Sequence, residues 1–386
     1  MSMRYLTSGE SHGKGLVGIL EGVPAGLEIS ENYINRQLER RQQGYGRSDR
    51  MKIESDRVNI ISGIRFGKTL GSPIALTVEN KDWENWKEKM SVTPSESEIE
   101  KITTPRPGHA DFAGAIKYNF DDIRNVIERS SARETAIRVA IGSVARKFLE
   151  TFNIFIVSHV IQIKNIKVKS GIKKIDFKMI NEFADKSPVR CLDKKAERDM
   201  MSVIDEAKKK GDSVGGVAEI IAFGLPIGLG SYVHWDRRLD GRIANALMAI
   251  PAIKGIEIGA GFKSASLFGS KMHDEIYYDE KLKDSSNMGF YRKTNNAGGI
   301  EGGITNGEPI IVRIAMKPIP TLTIPLNTVD MFTKDPAKAL KERSDTCALP
   351  SASVIAESVL ALVLADAFLE KFGGDSIEEI RGKYLF

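Results

Sequence analysis

Two of the chain's five histidines stand where an imidazole can do chemistry. His12 lies in Gly9-Glu10-Ser11-His12-Gly13 and His109 in Arg106-Pro107-Gly108-His109-Ala110-Asp111, each among Gly or Pro and beside charged residues. Such surroundings predict a loop that exposes the ring near a carboxylate, a setting that can move an imidazole pKa across neutrality. His159 sits inside the apolar run Ser158-His159-Val160-Ile161-Gln162-Ile163 and reads as a satisfied sheet histidine. His234 and His273 adjoin Trp235-Asp236 and Asp274-Glu275, where a structural hydrogen bond is the ordinary explanation. No pair has HExxH or other zinc spacing, so proton transfer or substrate hydrogen bonding is expected and a metal is not.

The cations cluster as well. Arg40, Arg41, Arg47 and Arg50 fall in eleven residues that run from a helix end into a Gly-rich loop. Two readings stand level: a solvated helix terminus whose cations complement the dipole, or an anion site built from guanidinium forks. The segment Glu128-Arg129-Ser130-Ser131-Ala132-Arg133-Glu134 is more specific. Ser131 followed by Glu134 has the capping-box pattern, ahead of a helix whose apolar face carries Ile137, Ala140, Val144 and Phe148. A helix start there would join free backbone N–H groups, two hydroxyls and the cations Arg129 and Arg133 into a phosphate cradle. Late in the chain, Lys317-Pro318-Ile319-Pro320-Thr321 is a stiff extended piece, and Arg343-Ser344-Asp345 precedes a long apolar helix. Taken alone, both read as connections, with a surface ion pair at Arg343 and Asp345.

These residues need elements to hold them. Short β-rich runs at 16–23, 58–64, 74–78, 154–163, 217–223 and 310–316 read as strands. Helical spacing appears at Ile34 and Leu38 behind Ser30, at Ile137 to Phe148 behind Ser131, at Met200 to Ala207 ending at Gly211, and at Ile355 to Leu362 ending at Gly373. The order lacks regular βαβ alternation, which predicts an α+β fold with antiparallel sheets. No repeat or Pro/Ser-rich linker divides the chain, so residues 1–386 are expected to form a single domain, with a Lys-rich surface excursion at 164–174. With 41% hydrophobic and 28% charged residues, the chain can build a substantial core and is not disordered. A net charge of +5 is too small to mark a nucleic-acid binder without a local cluster. Cys191 and Cys347 are far apart and outside any C-x-x-C spacing, which predicts a reducing compartment. Charge and glycine occupy the N-terminus where a signal would be apolar, and Glu357 and Asp366 interrupt the longest apolar stretch. A cytoplasmic protein without a membrane partner is expected. Gly-rich segments are abundant, yet none has the G-x-G-x-x-G or P-loop spacing.

Six motifs, in order along nearly the whole chain, together resemble the chorismate synthase family. They are GESHG at 9–13, RRQQGYGR at 40–47, RPGHAD at 106–111, RSSARET at 129–135, GGIEGGITNG at 298–307 and RSDTCALP at 343–350. The resemblance implies helices sandwiched between antiparallel β-sheets, and a homotetramer. It implies conversion of 5-enolpyruvylshikimate 3-phosphate into chorismate and phosphate by anti 1,4-elimination, which requires reduced FMN although no net redox change occurs. By the same resemblance, Ser11, Arg47, Arg50, Arg106, Arg133 and Arg343 bind substrate, and His12, His109 and Asp345 are catalytic. His12 then supports the leaving phosphate or the developing charge, His109 the reduced flavin, and Asp345 a proton relay. Arg129, Ser130, Ser131, Pro251, Ala252, Gly302, Lys317, Pro318, Ile319, Pro320, Thr321 and Arg343 correspond to flavin contacts. Arg41 and Arg47 correspond to positions associated with NADP, so NADPH is one reductant to consider and an external flavin reductase the other. Asp49 stands in a loop that often carries glycine, and Pro251 replaces a frequent Asn or Gln, removing an amide and a backbone donor.

Two rival classes fit less well. A nicotinamide-dependent oxidoreductase would need the missing dinucleotide fingerprint. An RNA-binding protein would need more aromatic residues than Tyr45 among the arginines at 40–50.

Overall fold

Alternating apolar side chains write the first sheet into the sequence. The computed structural model of the chain describes residues 2–47, 55–95, 98–169, 175–285, 287–342 and 344–384. In Gly15–Glu21, Leu16, Gly18 and Leu20 are buried while Val17 and Ile19 face outward, the two-residue period of a half-buried strand. This strand, β2, lies between β1 (Arg4–Ser8) and β4 (Ile74–Glu79), and β3 (Val58–Ser62) completes an antiparallel sheet in the order β1-β2-β4-β3. The second sheet is also antiparallel and has the order β8-β9-β7-β5-β6. Its strands are β5 (Phe155–Ile163), β6 (Ile166–Lys167), β7 (Gly216–Phe223), β8 (Ile253–Ile258) and β9 (Ile310–Met316).

Seven helices matter for the site: α1 (Glu31–Gln42), α2 (Asp111–Tyr118), α3 (Arg124–Arg129), α4 (Thr135–Glu150), α5 (Lys194–Lys209), α6 (Leu239–Met248) and α7 (Leu349–Phe372). Ser30 caps α1 by accepting the Tyr33 N–H at 3.3 Å. Helix α4 packs on the first sheet, where Gly18 leaves room: a Cβ there would come within 2.5 Å of Ile141. Helix α7 packs on β5 and β7 of the second sheet. The two helices cross closely at Gly142, whose added Cβ would meet the Ser358 carbonyl oxygen at 2.5 Å. One apolar core therefore runs from Met3 to Ile380 through both sheets and these helices.

Helix α7 is apolar on all sides, as a helix enclosed by protein must be. Among the described residues it alone is long and apolar enough to cross a membrane, and it is almost wholly buried in this core. Glu357 does not expose one of its faces. It is fully buried in a salt-bridge cluster with Arg40 of α1, Arg146 of α4 and Arg190, and also accepts the Ser158 hydroxyl at 2.6 Å. Burial would raise this carboxyl, but the arginines outweigh it and hold the pKa far below the usual range.

All six expected strands and all four expected helices form, with end shifts of a few residues. The start at Ser131 differs. A 3-10 turn, Ala132–Glu134, precedes α4, and Ser131 Oγ accepts the Arg133 N–H at 3.3 Å. Glu134 does not close a capping box; its carboxylate takes the Thr7 hydroxyl at 2.8 Å and Arg138 Nε at 2.9 Å. Strands β1 and β8 and helices α2, α3 and α6 carry too little apolar alternation to be read in advance: β1 is a mostly exposed edge, and Gly255 and Gly241 interrupt β8 and α6. In the Lys-rich excursion, Ile166–Lys167 folds back onto β5, and residues 170–174 lie outside the described residues.

Candidate active site

Eight chain segments wall a cavity of about 870 Å³. They are the Ser11–His12 loop, the end of α1 with Arg41 and Arg47, the turn with Asp82, Asn85 and Trp86, the α3–α4 junction, the loop with Arg106 and His109, the Ile250–Ala252 turn, the piece after β9 with Lys317 and Ile319 to Thr321, and Glu342, Ser344 and Asp345 with the first turns of α7. The size suits a cofactor-sized ligand. Ile127, Ile250, Met316, Ala348 and Ile355 make its apolar wall, and arginines, hydroxyls and both loop histidines make the rest.

His12 is held on two sides. Glu128 Oε2 meets its Nδ1 at 2.8 Å and accepts its backbone N–H at 2.9 Å. The Trp86 ring stacks on the imidazole, with centroids 3.9 Å apart and planes inclined by 24°. With Nδ1 engaged, Nε2 is the nitrogen available to a cavity ligand. Burial would raise the pKa of Glu128, but the contact with His12 and the charge of Arg124 reverse that, leaving it below the ordinary value.

His109 has a parallel arrangement. Asp111, at the start of α2, meets its Nδ1 at 2.5 Å and accepts Arg106 Nε at 2.8 Å. Arg106 Nη2 also lies 3.1 Å from Nδ1 and 3.3 Å from Nε2 of His109. Burial opposes ionisation of Asp111, yet the hydrogen bonds from His109 and Arg106 prevail and hold it well below the usual carboxylate range. A histidine oriented by a buried carboxylate is the arrangement that fixes tautomer and ring direction for proton handling.

The arginine-rich helix end divides between core and cavity. Arg40 and Arg41 are both buried, which removes the reading of a solvated terminus. Adjacent residues on a helix project about 100° apart. Arg40 therefore enters the Glu357 cluster, whereas Arg41 reaches the cavity wall and bonds Thr135 Oγ1 and Asp56. Burial lowers the Arg41 pKa to about 10 despite the Asp56 charge. Asp56 also holds Arg133, whose Nε donates to Asn80 Oδ1 at 2.8 Å. Arg47 pairs with Asp345 at 2.8 Å, which brings Asp345 a partner from the far end of the sequence. Arg50, Arg343 and Asp49 lie outside the described residues.

Of the remaining expected site residues, Ser11, Ser130, Ser131, Pro251, Ala252, Lys317, Ile319, Pro320 and Thr321 line the cavity. Ser131 Oγ lies 3.2 Å from Ser11 Oγ, Thr321 accepts Arg106 Nη1 at 3.0 Å, and Lys317 Nζ donates to the Gly108 carbonyl at 2.5 Å. Ala252 holds the turn with φ +66°, a left-handed backbone uncommon for a residue with a Cβ. Arg129, Gly302 and Pro318 do not line the cavity. Arg129 ends α3, not the start of α4, and its exposed guanidinium donates to the Thr7 carbonyl at 3.2 Å. Gly302 is exposed in a β-turn, and Pro318 lines a neighbouring surface depression.

Sequence reasoning missed Asp56, Glu342 and Trp86, and named Glu128 and Asp111 only as parts of motifs. Glu128 and Asp111 had a signal, since Glu128 adjoins Arg129 and Asp111 follows His109 by two residues. Asp56, Glu342 and Trp86 had none.

Comparison with known proteins agrees along the chain. Residues 3–369 match the family described as chorismate synthase. The chain is 56% identical over 386 residues to a chorismate synthase of Geobacter metallireducens, covering 99% of this chain and 97% of that one. Against a chorismate synthase of Aquifex aeolicus it is 55% identical over 390 residues, with 99% and 96% covered. A crystal structure of chorismate synthase superimposes with a TM-score of 0.79 at 45% identity, covering 100% of this chain and 96% of that one.

Proposed function

Because the chain belongs to the chorismate synthase family, a family of carbon–oxygen lyases in aromatic amino-acid biosynthesis, we propose that the cavity between its two histidine loops is where it acts. The enzyme eliminates phosphate from 5-enolpyruvylshikimate 3-phosphate to form chorismate. The observation that carries the assignment of the site is the pair of histidines, each oriented by a buried carboxylate, on one cavity ringed by arginines.

The substrate carries two carboxylates and a phosphate, so its binding needs several cations at fixed positions. Arg47, Arg106 and Arg133 meet that need from the described residues, with Ser11 adding a hydroxyl, and Arg50 and Arg343 belong to the same set. Reduced FMN fits the donor set: an aliphatic wall from Ile127, Ile250 and Ile355 suits the ring, and Ser130, Ser131 and Lys317 suit the phosphate. When bound, it supplies the electron density that assists C–O cleavage and takes up the ring proton. This chain's residues do the rest. Through Nε2, His12 hydrogen-bonds the leaving phosphate; His109, gripped by Asp111, stabilises anionic charge on the cofactor side; Asp345, held by Arg47, passes protons.

We take reduced FMN to come from an external flavin reductase, because no segment of the chain has the G-x-G-x-x-G spacing that a dinucleotide site would use. Contacts of α4 with the first sheet, of α7 with the second, and of each helix with the other support a sandwich of helices between antiparallel sheets, in a single domain whose main core both sheets share. Exposed Leu6, Val17 and Ile19 on the outer face of the first sheet support association of copies, which we take to be a homotetramer in the cytoplasm.

Anaerobic assays test the cofactor reading. Phosphate release is expected with FMN kept reduced and not under air with oxidised FMN; full turnover in the second condition would overturn it. NADPH oxidation by the purified protein without an added reductase would overturn the external-reductase reading.

A further inference from the structure

The two histidine loops are not independent. Starting at His12, Nδ1 meets Glu128 Oε2 at 2.8 Å, and Glu128 Oε1 accepts Arg124 Nη1 at 3.1 Å. The same Arg124 nitrogen donates to Glu342 Oε1 at 2.9 Å, and the other oxygen of Glu342 accepts Arg106 Nη1 at 3.1 Å. Arg106 then holds Asp111, which meets His109. The chain of contacts is continuous and its charges alternate: Glu128, Arg124, Glu342, Arg106, Asp111.

Glu342 is the link on which the two halves meet. It comes from the segment before α7, whereas Arg124 begins α3 and Arg106 lies in the loop before α2. Arg106 is almost completely buried, Arg124 is largely so, and a quarter of the Glu342 side chain is exposed. Without this carboxylate, two guanidinium groups would face one gap with no anion between them. Each would turn toward its remaining carboxylate, Arg124 to Glu128 and Arg106 to Asp111, and so alter the grip on the adjoining imidazole. Arg124 also lies over the Trp86 ring, 5.1 Å from its centroid, and Trp86 stacks on His12, which provides a second route from Arg124 to that histidine.

We propose that Glu342 is a positioning residue for the elimination, which through Arg124 and Arg106 sets the orientation and proton affinity of His12 and His109 together. The proposal rests on the reading of these histidines as the proton-handling groups. The described charged groups that face Glu342 are Arg124 and Arg106, with His109 and Asp111 behind Arg106 and His12 and Glu128 behind Arg124.

The test is a histidine titration followed by NMR on full-length protein labelled at imidazole Cε1, with Glu342→Gln and Glu342→Asp compared to wild type. Only five resonances need assignment. In Glu342→Gln, both the His12 and His109 titration midpoints are expected to move by roughly half a pH unit or more while His159, His234 and His273 stay in place. Glu342→Asp, which keeps the charge, is expected to restore at least part of both shifts. In steady-state assays with reduced FMN, Glu342→Gln should lower kcat by about tenfold or more with a smaller change in KM. Movement of only one of the two histidines, or of neither, in a variant whose His159 resonance is native would overturn the coupling. If Glu342→Gln does not fold, Arg124→Lys decides it by whether His109 moves, since Arg124 reaches His109 only through Glu342 and Arg106, whereas it reaches His12 directly through Glu128. Full activity of His12→Ala and His109→Ala alongside the joint shift would sink the catalytic reading and leave the coupling intact.

Discussion

His109 and His159 differ in surroundings more than in chemistry. His109 lines the cavity with Asp111 and Arg106 on one side of its ring, whereas His159 is buried in β5 with Nε2 3.2 Å from Glu219. His109→Ala is expected to lower kcat by roughly 10- to 1000-fold with an unchanged melting curve. His159→Ala is expected to cost about 1–3 kcal/mol in urea unfolding, because Glu219 loses a buried partner, and to leave the kcat of the folded fraction near wild type. The reverse pattern would show that these histidines were sorted wrongly. Ser131 and Arg129 form a second contrast. Ser131→Ala removes the acceptor for the Arg133 N–H and should cost about 1 kcal/mol. Arg129 rests on the Thr7 and Gly9 carbonyls, at 3.2 and 3.5 Å, outside the cavity wall. Its replacement by Ala should leave the FMN dissociation constant within about twofold of wild type; a ten- to hundredfold rise, the size of a lost charge-assisted phosphate contact, would put Arg129 on the cofactor. The motif showed which residue types meet here, but the direction of the Arg129 side chain depends on where α3 ends relative to β1, and no local pattern carries that.

At the scale of elements, the crossing of α4 and α7 governs how the layers sit. Gly142 has the Ser358 backbone and side chain against it, so Gly142→Ala must separate the helices or distort them. An overpacking cost of about 1–3 kcal/mol is expected, read as a lower urea midpoint at an unchanged m-value. A neutral result would mean that the helices yield at no cost. Close by, Glu357 joins α7 to α1, α4 and β5. Glu357→Ala would leave Arg40, Arg146 and Arg190 buried without their shared anion and should destabilise by about 3–5 kcal/mol. The helix periods of α1, α4, α5 and α7 were legible because their apolar residues repeat. Glu357, read only as an interruption of an apolar stretch, was the residue around which these elements pair their charges.

For the whole molecule, the buried carboxylates set an acid limit. Asp111, Glu128 and Glu357 all have folded pKa values below their unfolded ones. The unfolded chain then binds more protons in acid, so their stabilisation is complete above the unfolded carboxylate pKa of about 4 and declines as pH falls below it. The melting temperature is expected to be flat from about pH 7 to 5 and to drop steeply toward pH 3. A profile equally flat over the lower interval would show that these groups are not linked to folding. Because two of the three also hold the site histidines, activity should fail no later than the fold does as acid is added.

From the sequence alone came the family, the α+β class, the main strands and helices, and the choice of the two loop histidines, both of which line the cavity. Each of these depends on local order: motif spacing, apolar period, or the Gly and Pro that flank a residue. Tertiary structure alone decided which charges meet. Arg40 and Arg41 are neighbours in the chain, yet one closes a core cluster and the other a cavity wall, because helical geometry turns them apart and α7 covers only one. Arg47 finds Asp345, Arg133 finds Asp56, and Glu342 joins Arg106 to Arg124 across more than two hundred residues of sequence. Such pairs form when packing of the apolar faces brings remote segments together and leaves their charges too little water to remain apart.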